Sequence, residues 1–306
     1  MMDIRTLRYF LAVAREKSIS GASDFLHVTQ PTLSRQIKEL EQELGTQLFI
    51  RGSRHITLTE SGILLRKRAE EIISLFDKAH GELTNSSEVI SGEIYIGSGE
   101  TDSIRYIAKV AKQLHDQYPM IRYQLYSGNS ESVIERLDHG LLDFGILFGS
   151  VDTDKYDFIR MPTTDQWGLL MRRDSPLAIK HSLSPKDLWD IPLLFSSTRS
   201  FVTEPLLGWI GKNKDDLNIV ATYNLIYNAA IMVEEGLGYA LCLDKLVNTT
   251  GTSHLCFKPF SPPIDLPLYI VWKKYQVFPT ASKLFLDTLI KTYSFPPNTG
   301  ITLAEP

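Results

Sequence analysis

Apolar residues recur along the chain in three rhythms, and each predicts a different kind of element. Across residues 6 to 14, Leu7, Phe10, Leu11 and Ala14 fall at spacings of three, one and three, which is one face of a helix. A shorter helix follows, with Ala22, Phe25 and Leu26 on its apolar side and Ser20 as its cap, and Thr29 is placed to cap a third. In that third helix Pro31 sits in the first turn, where a missing N–H costs nothing, and Leu33, Ile37, Leu40 and Leu44 recur at four, three and four. Gly45 is the natural stop.

The rhythm then changes twice. Residues 48 to 58 read as two short extended pieces about a Gly-Ser turn, a wing. From Thr59 to about Ser87, Leu65, Ala69, Ile72, Phe76, Ala79 and Leu83 repeat at four, three, four, three and four, a heptad seam. About 28 residues at 1.5 Å each make a rod of roughly 42 Å, too long to cover its stripe with one small domain, so a second copy of the chain is expected on it. Ser86, Ser87, Ser91 and Gly92 mark a linker. Beyond it, strand-like stretches at 93–97, 123–126 and 142–147 alternate with helical ones at 104–118 and up to Gly140, which predicts parallel α/β architecture. In such sheets ligands lie beyond the carboxyl ends of the strands.

Charge sharpens this division. The net charge of −4 argues against indiscriminate coating of nucleic acid. Residues 1–68, however, carry 11 Lys or Arg against 7 Asp or Glu, while the remainder carries 21 against 29. The third helix opposes its apolar stripe with Gln30, Pro31, Thr32, Ser34, Arg35 and Lys38, and the wing carries Arg51 and Arg54. Polar residues on an outer face describe any surface helix. Three short helices with a tight turn before the last, though, are the layout in which the last enters the major groove. Arg and Gln there can read guanine and adenine bidentately.

The run ASDFLHVTQPTLSRQI from Ala22 to Ile37, continued by KELEQELGTQLFIR to Arg51, strongly resembles the LysR-type transcriptional regulators. The match is close over the first 60 or so residues, and the length and layout of the rest agree with it. The resemblance implies a winged helix-turn-helix at 1–58, a dimerisation linker helix at 59–88 and a two-lobed α/β effector domain of the periplasmic-binding-protein type at 92–294. Lobe I is then 92–161 with 267–294, lobe II is 162–266, and 295–306 form a tail. DNA contact is carried over to Gln30, Pro31, Thr32, Ser34, Arg35, Lys38, Arg51 and Arg54. Effector contact is carried over to Ser98, Glu100, Thr101, Ser127, Asn129, Phe148, Ser197, Thr198, Tyr223 and Asn224, and at any one of these Ser, Thr and Asn serve equally as turn formers. The implied partners are double-stranded promoter DNA, RNA polymerase, a small-molecule effector of open identity, and the chain itself as a dimer or a tetramer of two dimers.

Other classes fit less well. Gly97-Ser98-Gly99 follows a strand, but Asp102 stands where a dinucleotide loop wants its third glycine, and no Walker lysine follows. The seven histidines show no metal spacing and no nucleophile elbow is present, so neither catalysis nor a cofactor is expected. Cys242 and Cys256 are too few for a disulfide framework. A solute-binding transport receptor would suit the α/β half but would need an export signal, and residues 1–10, with Asp3, Arg5 and Arg8, do not read as one. With no run near the roughly 18 apolar residues of a membrane span, a cytoplasmic, non-membrane protein is expected.

Overall fold

The computed structural model describes residues 2–52, 55–84, 90–196 and 203–293. They form two compact units, 1–86 and 87–306.

The first unit opens with α1 (Ile4–Glu16), α2 (Ile19–Leu26) and α3 (Gln30–Leu44). Leu7, Phe10 and Val13 of α1, Ala22 of α2 and Leu33, Ile37 and Leu40 of α3 form its core. Leu44 is largely exposed, because Gly45, in the left-handed conformation at φ 65°, ends the helix there. The Gly45 and Thr46 amides donate to the carbonyls of Gln42 and Glu41, closing the C-terminus. Ser18, not Ser20, caps α2. Its extended backbone lets its hydroxyl accept from the Gly21 amide, whereas Ser20 already lies inside the helix. Thr29 occupies the cap position of α3, but its hydroxyl shares a hydrogen bond with that of Thr32 at 2.8 Å and does not cap the backbone. Phe25 is exposed, with the Arg15 guanidinium 3.8 Å above its ring.

The wing is an antiparallel pair, β1 (Phe49–Arg51) and β2 (Ile56–Leu58). After it comes α4 (Glu60–Thr84), whose start is capped by the Thr59 hydroxyl accepting from the Gly62 amide at 3.0 Å. Gly62 is required there: a Cβ would lie 2.1 Å from the Leu48 carbonyl oxygen.

The heptad seam on α4 divides. Leu65 and Ala69, with Ile73, pack into the core of their own domain, so Ala69 is fully buried and cannot also meet a partner chain. Ile72 at 41%, Phe76 at 45% and Leu83 at 83% exposure stand outside that core, as does the small exposed Ala79. One part of the stripe is therefore covered by its own domain and the other is left exposed, which periodicity cannot distinguish.

The second unit is built on β3 (Gly92–Ser98), α5 (Ile104–Gln117), β4 (Ile121–Ser127), α6 (Ser130–Asp138) and β5 (Phe144–Phe148), in which β3 pairs in parallel with both β4 and β5. Alternation stops at β5, for residues 149–155 form no helix before β6 (Tyr156–Arg172). Then follow β7 (Leu193–Ser196), α7 (Thr203–Ile210), β8 (Ile219–Tyr223), α8 (Ile226–Glu234), β9 (Tyr239–Leu243), β10 (Leu255–Pro259), β11 (Asp265–Lys273) and α9 (Thr280–Tyr293). The sheet runs β4-β3-β5-β11-β6-β9-β7-β8, with β10 on β6. It is mixed, not wholly parallel, because β11 runs antiparallel to β5 and β6, and β6 antiparallel to β9. The long strand β6 pairs with β11 through Gln166 and with β9 from Trp167 onward, so it passes from one half of the sheet to the other in mid-strand.

Candidate functional site

Two surfaces carry the chemistry, one in each unit. On α3, burial of Leu33, Ile37 and Leu40 turns Gln30, Pro31, Thr32, Arg35 and Lys38 to solvent, while Ser34 is half-buried at the edge of that face. Arg35 is held along the helix by Glu39 at 3.6 Å, an exposed pair that orients the guanidinium and contributes little stability. Glu41, one turn before the end of α3, accepts from the amides of Leu48 at 2.8 Å and Phe49 at 3.2 Å, fastening the root of the wing to the helix. The Ile56 amide adds a bond to the Lys17 carbonyl at 3.0 Å. The wing is thus tied to α3 through Glu41, hidden among acidic neighbours in the sequence, and to the end of α1 through Lys17. Arg51 closes β1, and Arg54 lies outside the described residues.

In the second unit a cavity containing about 560 Å³ of empty space, part of it open to solvent, lies where the two halves of the sheet meet. Of the residues expected around an effector, Glu100, Asn129, Phe148, Tyr223 and Asn224 line it. Ser98, Thr101 and Ser127 instead face a neighbouring hollow shared with Arg105 and Lys245. Ser197 and Thr198 lie outside the described residues.

Most polar groups expected to hold a ligand already have work. Ser98 donates to the Gly99 carbonyl at 2.7 Å, and Asn129 caps α6 by accepting from the Ser132 amide at 2.9 Å. The hydroxyls of Thr101 and Ser103 both donate to Asp165, at 2.5 and 2.6 Å. Burial lifts the Asp165 carboxyl above its ordinary value, and these two hydroxyls work against the rise. Tyr223 donates its hydroxyl to the Leu241 carbonyl, and burial holds that phenol protonated far above its usual range. It presents its ring to the cavity.

Sequence reasoning missed the apolar walls of this cavity: Trp167, Leu225, Ile226, Cys242, Leu243 and Leu246. Trp167 and Cys242 sit on facing strands in what reads as continuous apolar sequence, so nothing local separates them from core. Burial pushes the Cys242 thiol well up, which leaves it a neutral hydrophobic wall rather than a nucleophile.

Residues 4–63 match the model of the bacterial regulatory helix-turn-helix proteins of the lysR family, and residues 87–294 match the LysR substrate binding domain. The hydrogen peroxide-inducible genes activator of Dickeya chrysanthemi is 30% identical over 84% of this chain and 86% of its own length. The HTH-type transcriptional regulator BsdA of Bacillus subtilis is 35% identical over 51% of this chain and 54% of its own. Among solved structures, full-length CbnR complexed with its target DNA superposes with a TM-score of 0.73 at 18% identity, covering 95% of this chain and all of that one. A helix-turn-helix joined to a substrate-binding domain, matched along nearly the whole length, is the architecture of one group: the chain belongs to the LysR family of DNA-binding transcription regulators.

Proposed function

We propose that the chain reads promoter DNA as a dimer, with Gln30, Pro31, Thr32, Ser34, Arg35 and Lys38 of α3 facing the major groove and Arg51 and Arg54 of the wing on the flanking backbone. The observation that carries this reading is the anchoring of α3. Its apolar stripe is buried and its opposite face is polar, basic and exposed over the first two turns. The exposed apolar residues of α4, Ile72, Phe76, Ala79 and Leu83, are the dimer seam, and two dimers assemble into a tetramer. Paired heads then meet half-sites about 34 to 36 Å apart.

A small molecule in the cavity lined by Glu100, Phe148, Trp167 and Tyr223 favours one arrangement of the two lobes, and through it one arrangement of dimers on DNA, affecting recruitment of RNA polymerase. The functional boundaries follow as 1–58 for DNA, 59–88 for dimerisation and 92–294 for sensing, in the cytoplasm. Among the described residues no helix is long and apolar enough to cross a membrane.

A peroxide response through a Cys242–Cys256 disulfide is disfavoured. Cys242 lies opposite Gly168 and Cys256 opposite Met171 on the two edges of β6. Two strand spacings, about 9.5 Å even before the three-residue offset from Gly168 to Met171 along β6, exceed the roughly 7 Å Cα limit for a bridge.

Genome-wide mapping of binding sites, with footprinting of the strongest, tests the DNA reading. Discrete dyad-symmetric promoter sites are expected; enrichment no better than random DNA at low salt would overturn it.

A further inference from the structure

The cavity carries a charge signature that bears on what can enter it. Helix α8 begins at Ile226 behind Leu225, which has no side chain able to cap it. Its first amide is satisfied instead by Glu100, whose carboxylate accepts from the Ile226 N–H at 2.5 Å from 126 positions away in the chain. The amino end of a helix is where an anionic ligand would otherwise seat itself. Here the protein's own carboxylate holds that place, and among the described residues no Lys or Arg lines the cavity itself, Arg105 and Lys245 lying in the adjoining hollow that shares Glu100.

A second group in the same cavity lacks a partner. Trp167 is 3% exposed, and its indole N–H is buried with no acceptor among the described residues. A buried donor without a partner is costly, and such groups call for an explanation such as an absent ligand or water. Around these two points the walls are the rings of Phe148, Trp167 and Tyr223 and the aliphatic side chains of Ile226 and Leu243, with the uncharged polar residues Asn129, Ser130, Ser196 and Asn224 also lining the space.

Resting on the reading of this cavity as the effector site, we propose that Glu100 acts as a built-in anion which excludes carboxylate effectors. The site then takes an uncharged or cationic molecule of aromatic size, with an acceptor for the Trp167 N–H and a donor for Glu100. An aromatic amide has both groups. A carboxylate offers a second negative charge beside Glu100 and no donor, and in a partly buried site that repulsion weakens binding by at least about tenfold.

The test uses the full-length protein labelled with 5-fluorotryptophan, the Trp167 signal being assigned by Trp167→Phe, and titrates benzamide, benzylamine and benzoate in parallel. Benzamide is expected to shift the Trp167 resonance saturably, with benzoate at least about tenfold weaker and benzylamine, which suits Glu100 but has no acceptor for the Trp167 N–H, between the two. Glu100→Gln keeps an oxygen for the Ile226 amide but removes the charge, so it is expected to bring benzoate close to benzamide. Benzoate binding as well as benzamide to the unaltered protein, or a preference unchanged in Glu100→Gln, overturns the charge selection while leaving the cavity as the effector site. If no probe moves Trp167 up to about 10 mM, where even weak fragments register, the proposal falls. Shifts confined to Trp189, Trp209 or Trp272 would remove the effector reading of this cavity as well.

Discussion

The polar face of α3 and the cavity of the second unit are both places where side chains are held ready, but they are held over very different spans of chain. On α3, Arg35 pairs with Glu39, Gln36 donates to the same Glu39 at 2.9 Å, and Thr29 meets Thr32. Every one of these contacts is three or four residues long, the reach of a single helical turn. Beside the cavity, Thr101 and Ser103 meet Asp165 across more than sixty residues, and at the cavity Glu100 meets Ile226 across 126. A surface made by local periodicity survives small changes elsewhere in the domain. A cavity made by distant pairings exists only when the whole sheet is in register.

That contrast can be broken at its weakest point, the joint where the local surface proposed to read DNA depends on a distant contact. Gly62→Ala would press a methyl against the Leu48 carbonyl, and the first unit is expected to lose roughly 3 kcal/mol or more in urea denaturation. A loss below about 0.5 kcal/mol would show that the wing and α4 are not tightly joined.

Next in size is the seam. Phe76→Glu on the exposed half of α4 should raise the dimer dissociation constant by at least about tenfold, since a buried Phe is worth about 1.5 to 3 kcal/mol. Leu65→Glu should unfold the first unit instead, because Leu65 belongs to its own core. Sedimentation alongside circular dichroism separates the two outcomes, and an unchanged mass for Phe76→Glu would count against the seam.

Arg35→Ala should weaken binding to the preferred operator by about 1 to 3 kcal/mol and relax its preference at one base pair. Equal weakening on all sequences would move Arg35 from a base to a phosphate.

The smallest effect concerns Asp165. Its carboxyl titrates above the ordinary 3.8 because it is buried, so over that interval the folded chain binds a proton that the unfolded chain has released. Stability from this group therefore falls as pH rises from 3.8 through the raised value. Asp165→Asn should flatten that part of the stability profile, and a slope identical to that of the unaltered protein would mean Asp165 is not the source.

Legibility followed the span of the contacts. The core face of α3, its end at Gly45 and its outward Arg35 and Lys38 could all be read from spacing, since a helix brings i, i+3 and i+4 to one side wherever it sits. The cap of α2 lies two residues before the expected Ser20, because Ser18 and Ser20 offer the same hydroxyl and only the extended backbone at Ser18 chooses between them. In the α/β half, strands at 93–97 and 123–126 were legible, but β6 and β11 were not. Long strands that change neighbours halfway leave no periodic mark at the change.

Taken alone, the order of residues determined what repeats locally: the helix-turn-helix, the wing, the long apolar stripe and the strand-helix alternation as far as β5. It also determined the family resemblance, which rests on the linear run from Ala22 to Arg51. The fold decided which part of the α4 stripe its own domain covers and which it leaves exposed, the mixed sense of the sheet, and the meeting of Glu100, Trp167, Tyr223 and Ile226 around one space. The reason is physical. Turn-length contacts are set by backbone geometry that every helix shares, whereas contacts across a hundred residues exist only after the loops between them have closed and the core has packed.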